Sequence, residues 1–256
     1  MLFRSHRVAL KSAKEFKMNE HIVRSYEDEL SLLDRKIAQM GGLSEQMLDQ
    51  SFQALEKRDP RLAGIVIDAD RQVDQIHREI EELVVLMIGR RQPVANDLRQ
   101  VMAALSIAGD LERIGDLGKN MAKRALAIAN ETHPKPLITG LRHMLELALR
   151  QLKQVLDAYA ERDAERAMNV WLEDEQLDAL YNSLFRELLT YMMEDPRNIG
   201  ISTHLLFGAK NLERVGDHTT NVAETVHYLV RGKPITDERP KADQTSSTLV
   251  ARPTQS

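Results

Sequence analysis

Eight of the sixteen residues from 108 to 123 recur 101 positions further along the chain. Ala108, Leu111, Glu112, Arg113, Gly115, Asp116, Asn120 and Ala122 are repeated as Ala209, Leu212, Glu213, Arg214, Gly216, Asp217, Asn221 and Ala223. Upstream, at an offset of 104, Arg58, Asp59, Ala63, Val66, Asp70, Gln72 and Asp74 return as Arg162, Asp163, Ala167, Val170, Asp174, Gln176 and Asp178. The offset changes by three only between the two stretches, where a turn can vary in length at little cost. The chain is therefore a duplication, and whatever one copy folds into the other must fold into as well.

Each copy reads as three helices. Of the 256 residues, 43% are hydrophobic but only 4% aromatic, with 12 glycines and 8 prolines, and strong helix formers dominate the rest. Ile22, Leu30, Leu33, Ile37, Met40, Met47, Leu48 and Leu55 recur at three- and four-residue steps, which predicts a first helix from about His21 to Lys57. Gly41-Gly42 is expected to kink or weaken it. Asp59-Pro60 reads as an N-cap followed by proline at the first helical position, opening a second helix that runs to about Gly89. A third spans Asn96 to about Asn130, and the linker His133-Pro134-Lys135-Pro136 follows. The second copy predicts helices over 137–160, 163–193 and 198–230, closed by Gly232. The fold class is thus all-α, two tandem three-helix bundles with six long helices. The bounds are 18–134 for the first copy and 135–232 for the second, with a basic, unstructured extension over 1–17 and a disordered polar tail over 233–256.

Several function classes are disfavoured. A net charge of -4 argues against nucleic acid as the main partner. The absence of cysteine removes disulfides, thiolate sites and a Cys nucleophile, and fits a reducing compartment. The most apolar run, Leu83–Ile88, is far short of the roughly 18 residues of a membrane span. Residues 1–17 contain no apolar stretch of signal-peptide length.

What the duplication keeps is acidic. Each copy carries two acid-x-x-x-acid pairs, one per helix: Asp70/Asp74 and Glu112/Asp116, then Asp174/Asp178 and Glu213/Asp217. Residues four apart share a helix face, so each pair repels itself. Asn120 and Asn221 extend the third-helix rows with a neutral oxygen. At 100° per residue Val101, Leu105 and Ala108 lie within about 40° of Glu112, so the acids prolong an apolar stripe rather than oppose it. If the second and third helices pack together, four carboxylates converge, and protonation or a cation must relieve them. Oxygen donors alone suit hard cations. Arg113 and Arg214 are adjacent in sequence but about 100° round the helix. Gly115 and Gly216 suggest a close approach at the same level. The plain alternative is a set of solvated acids on helix edges, inherited twice.

Other candidates are weaker. His77 and His227 sit three residues after Asp74 and Glu224, the acid-x-x-His spacing of di-iron carboxylate bundles, but neither is matched in the other copy. A di-iron or other metal-carboxylate enzyme, oxidase or metallohydrolase, is the alternative function. His218 reads as a surface residue and Trp171 as core.

The doubled Leu-Glu-Arg-Ile/Val-Gly-Asp-x-x-x-Asn-x-Ala, with the opening His21-Ile-Val-Arg-Ser-Tyr-Glu-Asp-Glu-Leu and Met40-Gly-Gly-Leu, resembles the signature of the PhoU family over about residues 18–232. That resemblance implies paired three-helix bundles whose acidic motifs bind Fe, Mn, Mg or Zn ions, in multinuclear clusters. By it, Asp70, Asp74, Glu112, Asp116 and Asn120 form one metal site, and Asp174, Asp178, Glu213, Asp217 and Asn221 the other. It also implies a cytoplasmic, non-enzymatic homodimer that represses the phosphate-starvation response. The implied partners are the ATPase of a phosphate ABC transporter and a membrane sensor histidine kinase.

Overall fold

In the computed structural model of the chain, the described residues are 2–132, 134–237 and 239, with side chains from Ser25 onward. Helices α1 (Leu2–Lys57), α2 (Pro60–Arg91) and α3 (Asn96–Ala127) make up the first copy. Helices α4 (Lys135–Glu161), α5 (Ala164–Glu194) and α6 (Ile199–Arg231) make up the second. A single 3-10 turn, Pro196–Asn198, leads into α6, and among the described residues there is no strand. The all-α, six-helix duplicated architecture follows the sequence reading.

The turn between first and second helices is built twice in the same way. Arg58 and Arg162 both adopt left-handed backbone, with φ of 54° and 55°. The next residue, Asp59 or Asp163, caps the following helix. Its carboxylate accepts from two free backbone N–H groups, at 2.9 and 3.1 Å for Asp59 and 3.0 and 3.0 Å for Asp163. The Arg-Asp identity in the repeat is therefore a piece of turn chemistry.

Two expectations differ from the structure at the N-terminal end. α1 begins at Leu2, so the segment 1–17 expected to be an unstructured extension is helical over residues 2–17, which contain no proline or glycine to stop it. Gly41-Gly42 does not interrupt α1. A Cβ on Gly41 would stand 2.6 Å from Leu156 Cδ1, so the glycine exists to let α4 approach α1.

Each copy packs its three helices on one another, and α3 against α6 and α1 against α4 join the copies. On the first seam Arg99 lies over the Tyr228 ring, Asp110 meets His218, and Arg124 lies over the Phe207 ring. On the second, Asp34 bonds Tyr159 (2.6 Å) and Arg162 (3.0 Å), and Arg142 lies over Phe52 and pairs with Glu56. Rising numbers on one helix meet falling numbers on the other, so equivalent helices cross antiparallel. That is the relation of a two-fold axis, internal to one chain. Burial pushes the Tyr159 hydroxyl well above the ordinary tyrosine range, so it stays protonated and donates to Asp34. Phe52, Leu33, Ile37, Met40, Ile107, Leu111 and Ile114 are among the large side chains buried completely in the core. Burying each such side chain contributes about 1.5–3 kcal/mol.

Candidate metal centre

The acidic pairs sit where α2 faces α3 and where α5 faces α6. In the first copy Asp70 is buried, Asp74, Glu112 and Asp116 are half-buried, and Lys119 lies among them. Lys119 Nζ donates to Asp70 Oδ2 at 2.5 Å and to Asp116 Oδ1 at 3.2 Å, bridging α2 and α3. Burial pushes the Asp70 carboxyl above its usual range; Lys119 opposes the shift, and the charges of Asp74 and Asp116 add to it. Burial likewise raises Glu112, which Arg113 opposes and Asp116 and Asp74 reinforce. Asp70 and Glu112 therefore each feel the charges of Asp74 and Asp116, as expected for acids lining one groove. Lys119 in turn is held above the ordinary lysine range, chiefly by its hydrogen bond to Asp70.

The second copy repeats this with a different cation. Asp174, Asp178 and Glu213 are buried and Asp217 is half-buried. Arg239, from beyond the end of α6, donates to Asp174 Oδ2 through Nη2 (2.6 Å) and Nε (3.0 Å) and stands 2.9 Å from Asp217 Oδ1. Burial raises Asp174, Arg239 opposes, and Asp178 and Asp217 add to the rise. Lys210 Nζ donates to Glu213 Oε1 at 2.8 Å and lies over the Tyr181 ring.

Other expected residues fall elsewhere. Asn221 is exposed and donates to Asp110 Oδ1 of α3 (3.2 Å), the oxygen that also meets His218 Nδ1 (2.9 Å). Asn221 thus joins the seam between copies, and His218 is half-buried there rather than a surface residue. Asn120 is exposed one turn beyond Asp116. Arg113, expected to point away, is long enough to reach back to Glu112 (3.5 Å) and Asp116 (3.9 Å). His77 Nε2 lies 3.9 Å from Glu81, and its charge also acts on Glu112. Trp171 is core, with its indole N–H donated to Glu224. The tail expected to be disordered from 233 is packed over its described part. Ile235 lies against the core and Arg239 in the acidic groove; residues 238 and 240–256 fall outside the described residues.

Sequence reasoning missed Lys119 and Arg239. Among the described residues no three His, Cys, Asp or Glu side chains are gathered so that they could hold a metal ion as they stand. The donor chemistry nevertheless fits a hard cation. Each groove presents carboxylates from two helices, and each has drawn a positive side chain onto the Asp70–Asp116 or Asp174–Asp217 bridge. A divalent ion held by these acids would take the place of that ammonium or guanidinium.

Gly216 sets the spacing of the second groove. A Cβ there would lie 2.6 Å from Leu177 Cδ2 and 3.1 Å from Asp174 Oδ1. Gly216→Ala gains up to about 1 kcal/mol of helix propensity. Against that stands overpacking of a buried leucine and a pinned carboxylate, worth about 1–3 kcal/mol. Net destabilisation is expected in thermal melts, and a higher melting temperature would contradict the close approach.

The PhoU domain family, by its sequence profile, matches residues 37–125 and 141–226, one span in each copy. The phosphate-specific transport system accessory protein PhoU homolog of Rhizobium meliloti is 54% identical over 227 residues, 89% of this chain and 96% of that protein. The Caulobacter vibrioides homolog is 46% identical over 226 residues, 88% of this chain and 98% of that protein. The crystal structure of PhoU from Pseudomonas aeruginosa superposes with a TM-score of 0.78 at 38% identity, covering 81% of this chain and all of that one. The phosphate transport system regulatory protein PhoU from Streptococcus pneumoniae gives a TM-score of 0.72 at 28% identity, covering 82% of this chain and 99% of that one.

Proposed function

This chain belongs to the PhoU family, and on that premise we propose that it is a non-enzymatic regulator of phosphate uptake and of the phosphate-starvation response. It works as a metal-binding adaptor between the ATPase of a phosphate ABC transporter and a membrane sensor histidine kinase, in the cytoplasm and as a homodimer. Family membership over both copies carries the regulatory role, since the relatives' own names describe an accessory and a regulatory protein of phosphate transport. The paired acidic grooves carry the metal role. Bound metal there would lock α2 to α3 and α5 to α6, holding the bundle surface in one shape for its partners. No helix among the described residues is long and apolar enough to cross a membrane.

Two measurements test this. Deleting the gene is expected to switch on phosphate-scavenging genes in phosphate-rich medium, and normal repression in the deletion strain would sink the regulatory role. Elemental analysis of protein purified without an affinity tag is expected to find divalent metal or iron, and a metal-free protein would sink the metal role.

A further inference from the structure

The two acidic grooves are equivalent in their acids and unlike in their cations. Residue 119 is Lys in the first copy; the same offset of 101 that pairs Asp116 with Asp217 makes its counterpart Thr220. A threonine cannot neutralise two carboxylates. The missing charge arrives from elsewhere, because Arg239 bridges Asp174 and Asp217 as Lys119 bridges Asp70 and Asp116. Its Nη2 also donates to the Thr220 hydroxyl at 3.1 Å, so the guanidinium sits over the position the lysine would have occupied.

The two cations differ in how they are tethered. Lys119 is on the same helix as Asp116, inside a bundle, so it yields only by swinging its side chain aside while its backbone stays in place. Arg239 hangs from a segment that leaves α6 at Gly232, where a left-handed turn (φ 72°) redirects the chain. Pro234 and Ile235 then line a cavity of about 530 Å³ between α3 and α6, and Ile235 packs on the core. Among the described residues the hold on this segment is a few side chains, so it can be released while all six helices stay intact.

We propose that the C-terminal segment is a built-in competitor for the second acidic groove: Arg239 closes it, and a divalent cation binds there only by displacing the arginine. This rests on the metal reading above. The carboxylates that Arg239 holds, Asp174 and Asp217, are among those that would hold the metal, so the two states would exclude each other. By linkage, metal then weakens docking of the segment by the factor by which the segment weakens metal binding. In the first groove only the Lys119 side chain has to move and no segment is released, so the two sites of one molecule differ in affinity.

The test uses the full chain with Mn²⁺ as probe, comparing wild type with Arg239→Gln and Arg239→Lys. Free Mn²⁺ is followed by electron paramagnetic resonance, and amide exchange is followed in the peptide covering 233–239. Arg239→Gln is expected to tighten the second Mn²⁺ site by about fivefold or more, with Arg239→Lys closer to wild type. Saturating Mn²⁺ is expected to speed exchange over 233–239 in the wild type. Equal Mn²⁺ affinity in wild type and Arg239→Gln, or a segment whose exchange ignores bound Mn²⁺, would overturn the competitor alone. If neither chain binds Mn²⁺, the metal reading falls and takes this inference with it.

Discussion

On the proposed metal role, Asp116→Ala combined with Asp217→Ala is expected to abolish binding of divalent metal while leaving the protein folded. These two carboxylates are chosen because their side chains are 35% and 33% exposed, against 6% and 4% for Asp70 and Asp174. Removing them relieves like-charge repulsion with Asp70 and Asp174, and Lys119 and Arg239 keep their bonds to those two buried acids. Folding stability should change little. Metal affinity should fall by about 100-fold or more at each groove, because even groups that only orient a ligand are worth 10–100-fold. Elemental analysis beside a thermal melt checks both halves. An unchanged metal content in a folded double variant would show that the acids are not the site.

Lys119→Met is expected to lower stability markedly at neutral pH. It keeps the length of the aliphatic stem but leaves Asp70, buried against α3, without its ammonium partner. Removing one member of a fully buried pair costs 3–5 kcal/mol; Lys119 is 26% exposed, so a loss of about 2 kcal/mol is the scaled expectation at neutral pH. The pH dependence has a definite sign. Burial already holds Asp70 above its ordinary range and Lys119 pulls it down, so the variant raises it further. A carboxyl whose folded pKa lies above its unfolded one binds more protons in the folded state. Stability then falls as pH rises from the unfolded carboxylate value of about 4 through the raised folded value. The deficit of Lys119→Met should therefore be small near pH 4 and full at pH 7. Divalent metal should reverse it, raising the melting temperature of the variant more than that of the wild type. A deficit that is the same at both pH values would mean that packing, not charge, is what Lys119 supplies.

The sequence made the helices and the duplication legible because both are periodic: apolar steps of three and four, and two constant offsets. The acid pairs were legible for the same reason, being spaced by one helical turn on rows that continue the core. Lys119 was equally visible, three residues after Asp116 and so on the same face, but a row read for ligands discounts a cation. Arg239 was not visible. It is 65 residues from Asp174 in a segment whose composition shows only that it buries little apolar surface. A charged contact between a segment beyond the last helix and one buried and one half-buried carboxylate leaves no mark in periodicity. The partners of Asp110 were hidden likewise, since Asn221 and His218 meet it only once the copies have packed. Gly41 was read as a helix weakness because its neighbour in space, Leu156, is on a helix of the other copy.

The antiparallel crossing of α3 on α6 and of α1 on α4 makes this chain a tethered pair of half-molecules. In an untethered pair, one gene encodes both halves, and every substitution is made twice. Joining them end to end lifts that constraint, and each half can then drift while the seam between them keeps the shape of both. Lys119 has Thr220 as its counterpart in the other half, and Arg239, from beyond α6, supplies the charge there, so among the described residues the two grooves differ as two identical halves could not.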